Sequence, residues 1–189
     1  ELTTFAYETV DIAAGLGRRV SVMGLSAGGV LAAWLAATRR DVTQAAILSA
    51  AFGAAGIPDG ILPLFTRFLL TIPNRYIEWD RAAAANGSEE RQLHAYPRWS
   101  TRGLGAVLSV GRAVERLAHR QPLLAQDVVV IDNDNDGAIS LTKNAALVAL
   151  WQRQGSHVRT FRFAKHHALD HDYIDPDHPK QNVALVYPI

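Results

Sequence analysis

Apolar residues along this chain fall into two rhythms. Leu2, Phe5, Val10, Ile12, Ala13 and Leu16 recur at helical spacing and predict an amphipathic helix over 2–16, ended by Gly15 and Gly17. Arg18-Arg19 then lead into the β-type run Val20-Ser21-Val22-Met23, which closes on Gly24-Leu25-Ser26-Ala27-Gly28. An alanine-rich apolar stretch, Val30 to Ala37, follows at once and predicts a helix. Ala45 to Ala50 reads as a second buried strand, and Val128 to Ile131 is a continuous β-branched run, the pattern of a strand buried on both faces. Leu141, Ala145, Leu147, Val148 and Trp151 give a further helix closed by Gly155. Val158 to Phe163 alternates strictly, as an edge-side strand does, and a short helix is expected from Pro179 through Leu185. Strands alternating with helices predict a parallel, doubly wound α/β sheet.

Between these halves the texture changes. Gly53, Gly56, Pro58, Gly60 and Pro63 make an irregular opening, and three helices are expected after it. One carries Leu62, Leu64, Phe65, Phe68 and Leu69; one runs from Ile77 to Ala85; one runs from Leu104 to His119 with Leu104, Val107, Leu108, Val114 and Leu117 inward. The division expected is a core formed by 1–51 and 121–189, with 52–120 as a helical cap inserted over the carboxyl edge of the sheet, where ligands bind. Trp79, Tyr96 and Trp99 are candidates for an apolar substrate wall in that cap.

Composition narrows the possibilities without choosing among them. The 189 residues suffice for one domain with a real core, and a formal net charge of +1 with no basic, aromatic-interleaved run gives no reason to expect nucleic acid. The chain holds no cysteine, which removes disulfides, thiolate catalysis and cysteine-ligated zinc. No apolar run is long enough to span a membrane, so no stable membrane insertion is expected. With no secretory pattern at Glu1-Leu2-Thr3-Thr4-Phe5, the cytoplasm is the default expectation.

The chemistry begins at Ser26. A Gly-x-Ser-x-Gly pattern with a strand before it and a helix after it is the context of a nucleophile elbow. The missing Cβ atoms at Gly24 and Gly28 would let strand and helix approach, and the N–H of Ala27 would be one oxyanion donor. A serine hydroxyl needs a base to take its proton and a third group to orient that base. Acids cluster after the Val128–Ile131 strand, where Asp136, at the turn before Gly137, is favoured, with Asp134 second and Asp132 too near the strand end. Histidines cluster after the Val158–Phe163 strand. Of His166, His167, His171 and His178, His171 is favoured because the apolar residues of Asp172-Tyr173-Ile174-Asp175-Pro176 can anchor its backbone. His94, His119 and His157 fall away from this edge. Asp132-x-Asp134-x-Asp136-Gly137 matches the first half of a calcium loop, but Lys143 stands where the bidentate glutamate belongs, and a strand precedes the loop in place of a helix. No His-x-x-x-His pattern supports zinc. Neither a metal nor a cofactor is expected.

Gly24-Leu25-Ser26-Ala27-Gly28, Asn135-Asp136-Gly137-Ala138-Ile139-Ser140 and Leu169-Asp170-His171-Asp172-Tyr173-Ile174-Asp175-Pro176 together resemble the α/β-hydrolase superfamily, in particular bacterial esterase- and lipase-like members with a helical cap. The resemblance covers nearly the whole chain. It implies Ser26 as nucleophile, Asp136 as orienting acid, His171 as general base, and a small-molecule carboxylic ester as substrate. At one point the chain departs from the family, which has several strands ahead of the elbow and a second oxyanion donor in the loop after the third. That part of the fold is expected to lie outside these residues or to come from another chain, so the sheet is incomplete on its N-terminal side and its edge is open to association. Two other functions are compatible with the motifs: acyl transfer or perhydrolysis by the same triad, and a non-catalytic binding or assembly role.

Overall fold

The computed structural model describes residues 1–78, 98–178 and 180–188. Its elements are α1 (Leu2–Leu16), β1 (Val20–Leu25), α2 (Ala27–Thr38), β2 (Val42–Leu48), α3 (Leu62–Thr71), β3 (Tyr76–Glu78), β4 (Arg98–Ser100), α4 (Thr101–Ala118), β5 (Asp127–Asn133), α5 (Leu141–Arg153), β6 (Val158–Phe163) and α6 (Val183–Val186). The main sheet has the order β1-β2-β5-β6 and is parallel throughout. Its register aligns Gly24, Ile47, Val130 and Thr160 on one face and Leu25, Leu48, Ile131 and Phe161 on the other.

Alternation along the strands sorts the core into two layers. Ile47, Val128, Val130 and Val158 meet α1, α2, α4 and α5 through Val10, Val30, Leu35, Val114, Leu147 and Trp151. Leu48 and Phe163 meet Leu169, Tyr173 and Val186 on the opposite face. Four helices thus cover one face of this parallel sheet, while the loop after β6 and the short α6 cover part of the other, where Met23 and Phe161 stay exposed. Full burial of an aliphatic or aromatic side chain is worth roughly 1.5–3 kcal/mol, and Trp151, Ile47, Val30 and Val128 are all sealed from solvent. Among the described residues no helix is long and apolar enough to cross a membrane.

Four elements differ from expectation. The stripe on α1 is only partly used: Val10 is buried, whereas Phe5, Ile12 and Leu16 are exposed, as is Met23 on the edge strand β1. Strand β2 starts at Val42 because its pairing with β1 begins there, and it stops at Leu48 because Ser49 takes a positive φ. Of the helix expected over Ile77–Ala85, residues 77 and 78 are strand instead, and 79–85 lie outside the described residues. Tyr76–Glu78 pairs antiparallel with Arg98–Ser100, and Ile77 stands opposite Trp99. Asn74 closes this ribbon by accepting the N–H of Arg102 (3.1 Å), while Thr101 Oγ1 accepts that of Arg75 (3.0 Å). Lastly, α6 starts at Val183, where the Asn182 side chain caps it. Helix α4 joins two layers: Leu108 packs with Leu62 and Leu69 of α3, while Val114 and Ala118 lie in the main core.

Candidate active site

Because the sheet is parallel, the turns after β1, β2, β5 and β6 all leave the same edge. The turn after β1 is sharp. A Cβ on Gly24 would lie 2.2 Å from the backbone carbon and oxygen of Gly28, and one on Gly29 would lie 2.9 Å from Ala50 Cβ. Gly28 itself faces open space. The close approach expected of Gly24 and Gly28 therefore rests on Gly24 and Gly29, with Gly28 supplying the backbone that Gly24 touches. Ser26 sits at φ 55°, ψ −114°, a conformation that costs an L-residue on the order of 1–3 kcal/mol. Its backbone is held from β2: the N–H donates to the Leu48 carbonyl (2.9 Å), and the carbonyl accepts from Ala51 (3.1 Å). Helix α2 starts at Ala27, so the N–H groups of its first turn, which have no intrahelical acceptor, lie at the positive end of the helix dipole beside Ser26.

Asp136 and His171 meet. Asp136 Oδ2 lies 2.6 Å from His171 Nδ1, with the carboxyl side chain sealed from solvent and the imidazole one-fifth exposed. Asp136 Oδ1 accepts the N–H groups of Ala138 (2.9 Å) and Ile139 (3.3 Å). Burial pushes the Asp136 carboxyl upward, but the His171 hydrogen bond and charge, the Ala138 N–H and the Ser49 hydroxyl outweigh it and leave the group below the ordinary carboxylate range. Neither neighbouring carboxylate faces this pair. Asp132 accepts from Asn144 Nδ2 (2.9 Å), and burial pushes it up. Asp134 stands 3.5 Å from Arg162 Nη1. The three loop carboxylates diverge, and among the described residues no group of three or more His, Asp and Glu comes together as a metal site.

The other histidines near this edge turn elsewhere. His166 and His167 lie ring against ring, 4.0 Å apart, on the one-turn helix 165–167, and His178 Nε2 is 3.8 Å from Asp170. Of the aromatic wall expected in the cap, Trp99 lies half-buried on β4, while Trp79 and Tyr96 lie outside the described residues.

Asn133 is a residue that the sequence reading passed over. It is fully buried at the end of β5. Its Nδ2 donates to the carbonyls of Leu169 and Asp170, both at 3.0 Å, and its Oδ1 accepts the N–H of Asn135 at 3.0 Å. One amide thus joins the acid loop to the segment immediately before His171. Asp170 then caps the His171 N–H (2.9 Å). The available signal was alternation: Val129, Ile131 and Asn133 share a face, and an amide continuing an apolar stripe asks for partners.

No protein-family model matches the chain, and no curated protein matches it in sequence. Solved structures do. The monoacylglycerol lipase of Paleococcus ferrophilus superposes with a TM-score of 0.65 at 16% identity, over 92% of this chain and 68% of that one. The fold is that of the α/β-hydrolases. A soluble variant of the monoglyceride lipase of Saccharomyces cerevisiae matches with a TM-score of 0.57 at 11% identity, over 85% of this chain and 58% of its own. A thermostable carboxyl esterase of Bacillus coagulans matches with a TM-score of 0.54 at 14% identity, over 86% and 63%. At such identities the likeness is one of fold, and the chain spans little more than half to two thirds of the length of each of these structures.

Proposed function

We propose that this chain carries the reacting groups of a serine hydrolase that cleaves carboxylic esters. Ser26 Oγ attacks the ester carbonyl carbon while the free ring nitrogen of His171 takes its proton. Asp136 fixes the ring by its bond to Nδ1 and offsets the charge that the ring acquires. The oxyanion of the tetrahedral intermediate faces the N–H of Ala27. Collapse breaks the bond to the alcohol, which leaves with the proton held by His171, and water repeats the sequence to release the acid and restore Ser26.

The observation that carries this reading is the 2.6 Å contact between a buried carboxylate and a part-exposed imidazole at the edge from which Ser26 also emerges. The positive φ at Ser26 adds to it. That relatives of this fold are named monoacylglycerol lipase and carboxyl esterase favours small lipid or carboxylic esters as the substrate class. Incubation with a fluorophosphonate probe and assay on short p-nitrophenyl esters test the reading. Labelling and turnover that both vanish in Ser26→Ala are expected. Intact folded protein that neither labels nor turns over ester overturns it.

A further inference from the structure

The buried stripe of β5 does not end as it begins. Val128 and Val130 are sealed in the helical layer, and the next side chain on their face is Asp132, only 5% exposed. An ionised carboxylate accepts about four hydrogen bonds. Among the described residues Asp132 receives one, from Asn144 Nδ2 to Oδ1 (2.9 Å), and its Oδ2 is neither bonded nor sealed. A buried charge so poorly met is costly unless something outside the chain meets it.

The open oxygen belongs to the lining of a cavity. The groove between α5 and the edge strand β6 encloses about 340 Å³, within the range of small-molecule sites. Val130, Ala145, Val148 and Ala149 give it an apolar wall beside Asp132. Because β6 buries only its two ends, the groove is open to solvent along Thr160 and Arg162. The donors at its rim have acceptors: Gln152 Nε2 donates to the Val158 carbonyl (3.0 Å), and Arg162 Nη1 stands 3.5 Å from Asp134 Oδ1. Among the described residues the charges that act most on Asp132 are Arg162 against Asp134 and Asp136, so the neighbourhood is net negative. An anionic acceptor beside an apolar wall lacks a cationic donor. The groove is also separate from the ester chemistry: Ser26 follows β1, at the far end of the order β1-β2-β5-β6, and neither Asp136 nor His171 lines it.

We propose that this groove is a binding site for a small organic cation, a primary ammonium on a short aliphatic body. The ammonium donates to Asp132 Oδ2, and the alkyl chain lies against Val130, Val148 and the two alanines. An ammonium offers three donors and no acceptor, which matches an unmet carboxylate, whereas an anionic ligand meets Asp132 with like charge.

The test is an amide NMR titration of the full chain at neutral pH with n-butylammonium, 1-butanol and butyrate. Butylammonium is expected to shift the amides of Ala145, Val148, Thr160 and Arg162 along one saturable curve, with a dissociation constant in the millimolar range, as suits so small a ligand in an open groove. The alcohol and the anion should bind at least about tenfold more weakly, because a hydrogen bond to a charged group is worth about that factor or more. Asp132→Asn keeps the shape and should weaken butylammonium by about the same factor while leaving 1-butanol unchanged. Ala149→Leu fills the groove without touching the carboxylate and should abolish binding of both. Equal affinity for butylammonium and 1-butanol, full affinity in either variant, or shifts that never saturate, as with a groove held by water alone, overturn the proposal. None of these readouts involves ester turnover, so the proposed function stands or falls separately.

Discussion

Replacing Asn133 by alanine removes three hydrogen bonds of 3.0 Å at a fully buried position. The three partners do not suffer equally. The Asn135 N–H belongs to an exposed residue and the Asp170 carbonyl to a half-buried one, so water can replace part of what is lost; Leu169 is buried and its carbonyl is stranded. One full desolvation penalty and two partly recovered bonds sum to about 2–4 kcal/mol. In a domain of this size that is a fall of about 5–15 °C in Tm. The segment before His171 then loses its tie to the acid loop, and a displacement near 1 Å at a reacting group costs about 10²-fold in rate. Asn133→Asp sharpens the comparison, because it keeps the shape but sets carboxylate oxygen against the carbonyls of Leu169 and Asp170; it should be worse than alanine. Urea unfolding followed by tryptophan fluorescence gives the stability, and kcat on a p-nitrophenyl ester gives the rate. If Asn133→Ala lies within about 0.5 kcal/mol of wild type, a surface-like value, or if Asn133→Asp is the milder change, the clamp reasoning is wrong.

Other substitutions separate the roles of single groups. Gly24→Ala drives a Cβ into the Gly28 backbone and should cost more than about 3 kcal/mol or prevent folding, whereas Gly28→Ala should stay within about 1 kcal/mol of wild type; thermal melts of the pair decide. Since the folded pKa of Asp136 is depressed, its ionised form supports the fold above the ordinary carboxylate pKa, near pH 4, and that support is lost as pH falls through the folded value. The Tm gap between wild type and Asp136→Asn should therefore narrow from pH 6 to pH 3. Asp132 has the opposite sign, because burial raises its pKa and ionisation works against folding. Asp132→Asn should raise Tm at pH 7 and leave it nearly unchanged at pH 3, and a destabilised variant at pH 7 would refute this.

The fold was legible where burial imposes a period. The β-branched run of β5 and the apolar helix after Ser26 sit in the sheet and core as their patterns require, whereas β6 forms at the sheet edge as expected but buries only its two ends, Val158 and Phe163. Geometry set by partners distant in the chain was not. Tyr76–Glu78 becomes strand because Arg98–Ser100 lies beside it, and nothing within 76–85 announces that pairing. Phe5, Ile12 and Leu16 keep helical spacing yet stay exposed, while of that stripe Val10 is fully buried and Ala13 packs partly against the core. At the site, chain order and loop position sufficed to favour Asp136 and His171, which the structure brings into contact. Ser49 was hidden by its own strand, because Ala45 to Ala50 reads as one apolar run and a positive φ leaves no mark on residue type. Asn133 was overshadowed by three aspartates.

The short crossing from Leu48 to Ala55 has a kinetic consequence. Leu48 and Ala51 grip Ser26 by its N–H and carbonyl, Ser49 grips β5 through Ile131, and Gly53 and Ala55 bond to Ser140 and Ala138 beside the acid loop. Ser26 and the Asp136 loop are therefore bolted to one short strut. Warming should not loosen this edge group by group. The amides of Ser26, Ser49 and Ala51 should exchange with solvent in a single opening event, and irreversible loss of activity should keep pace with that event even while the helices behind the sheet remain intact.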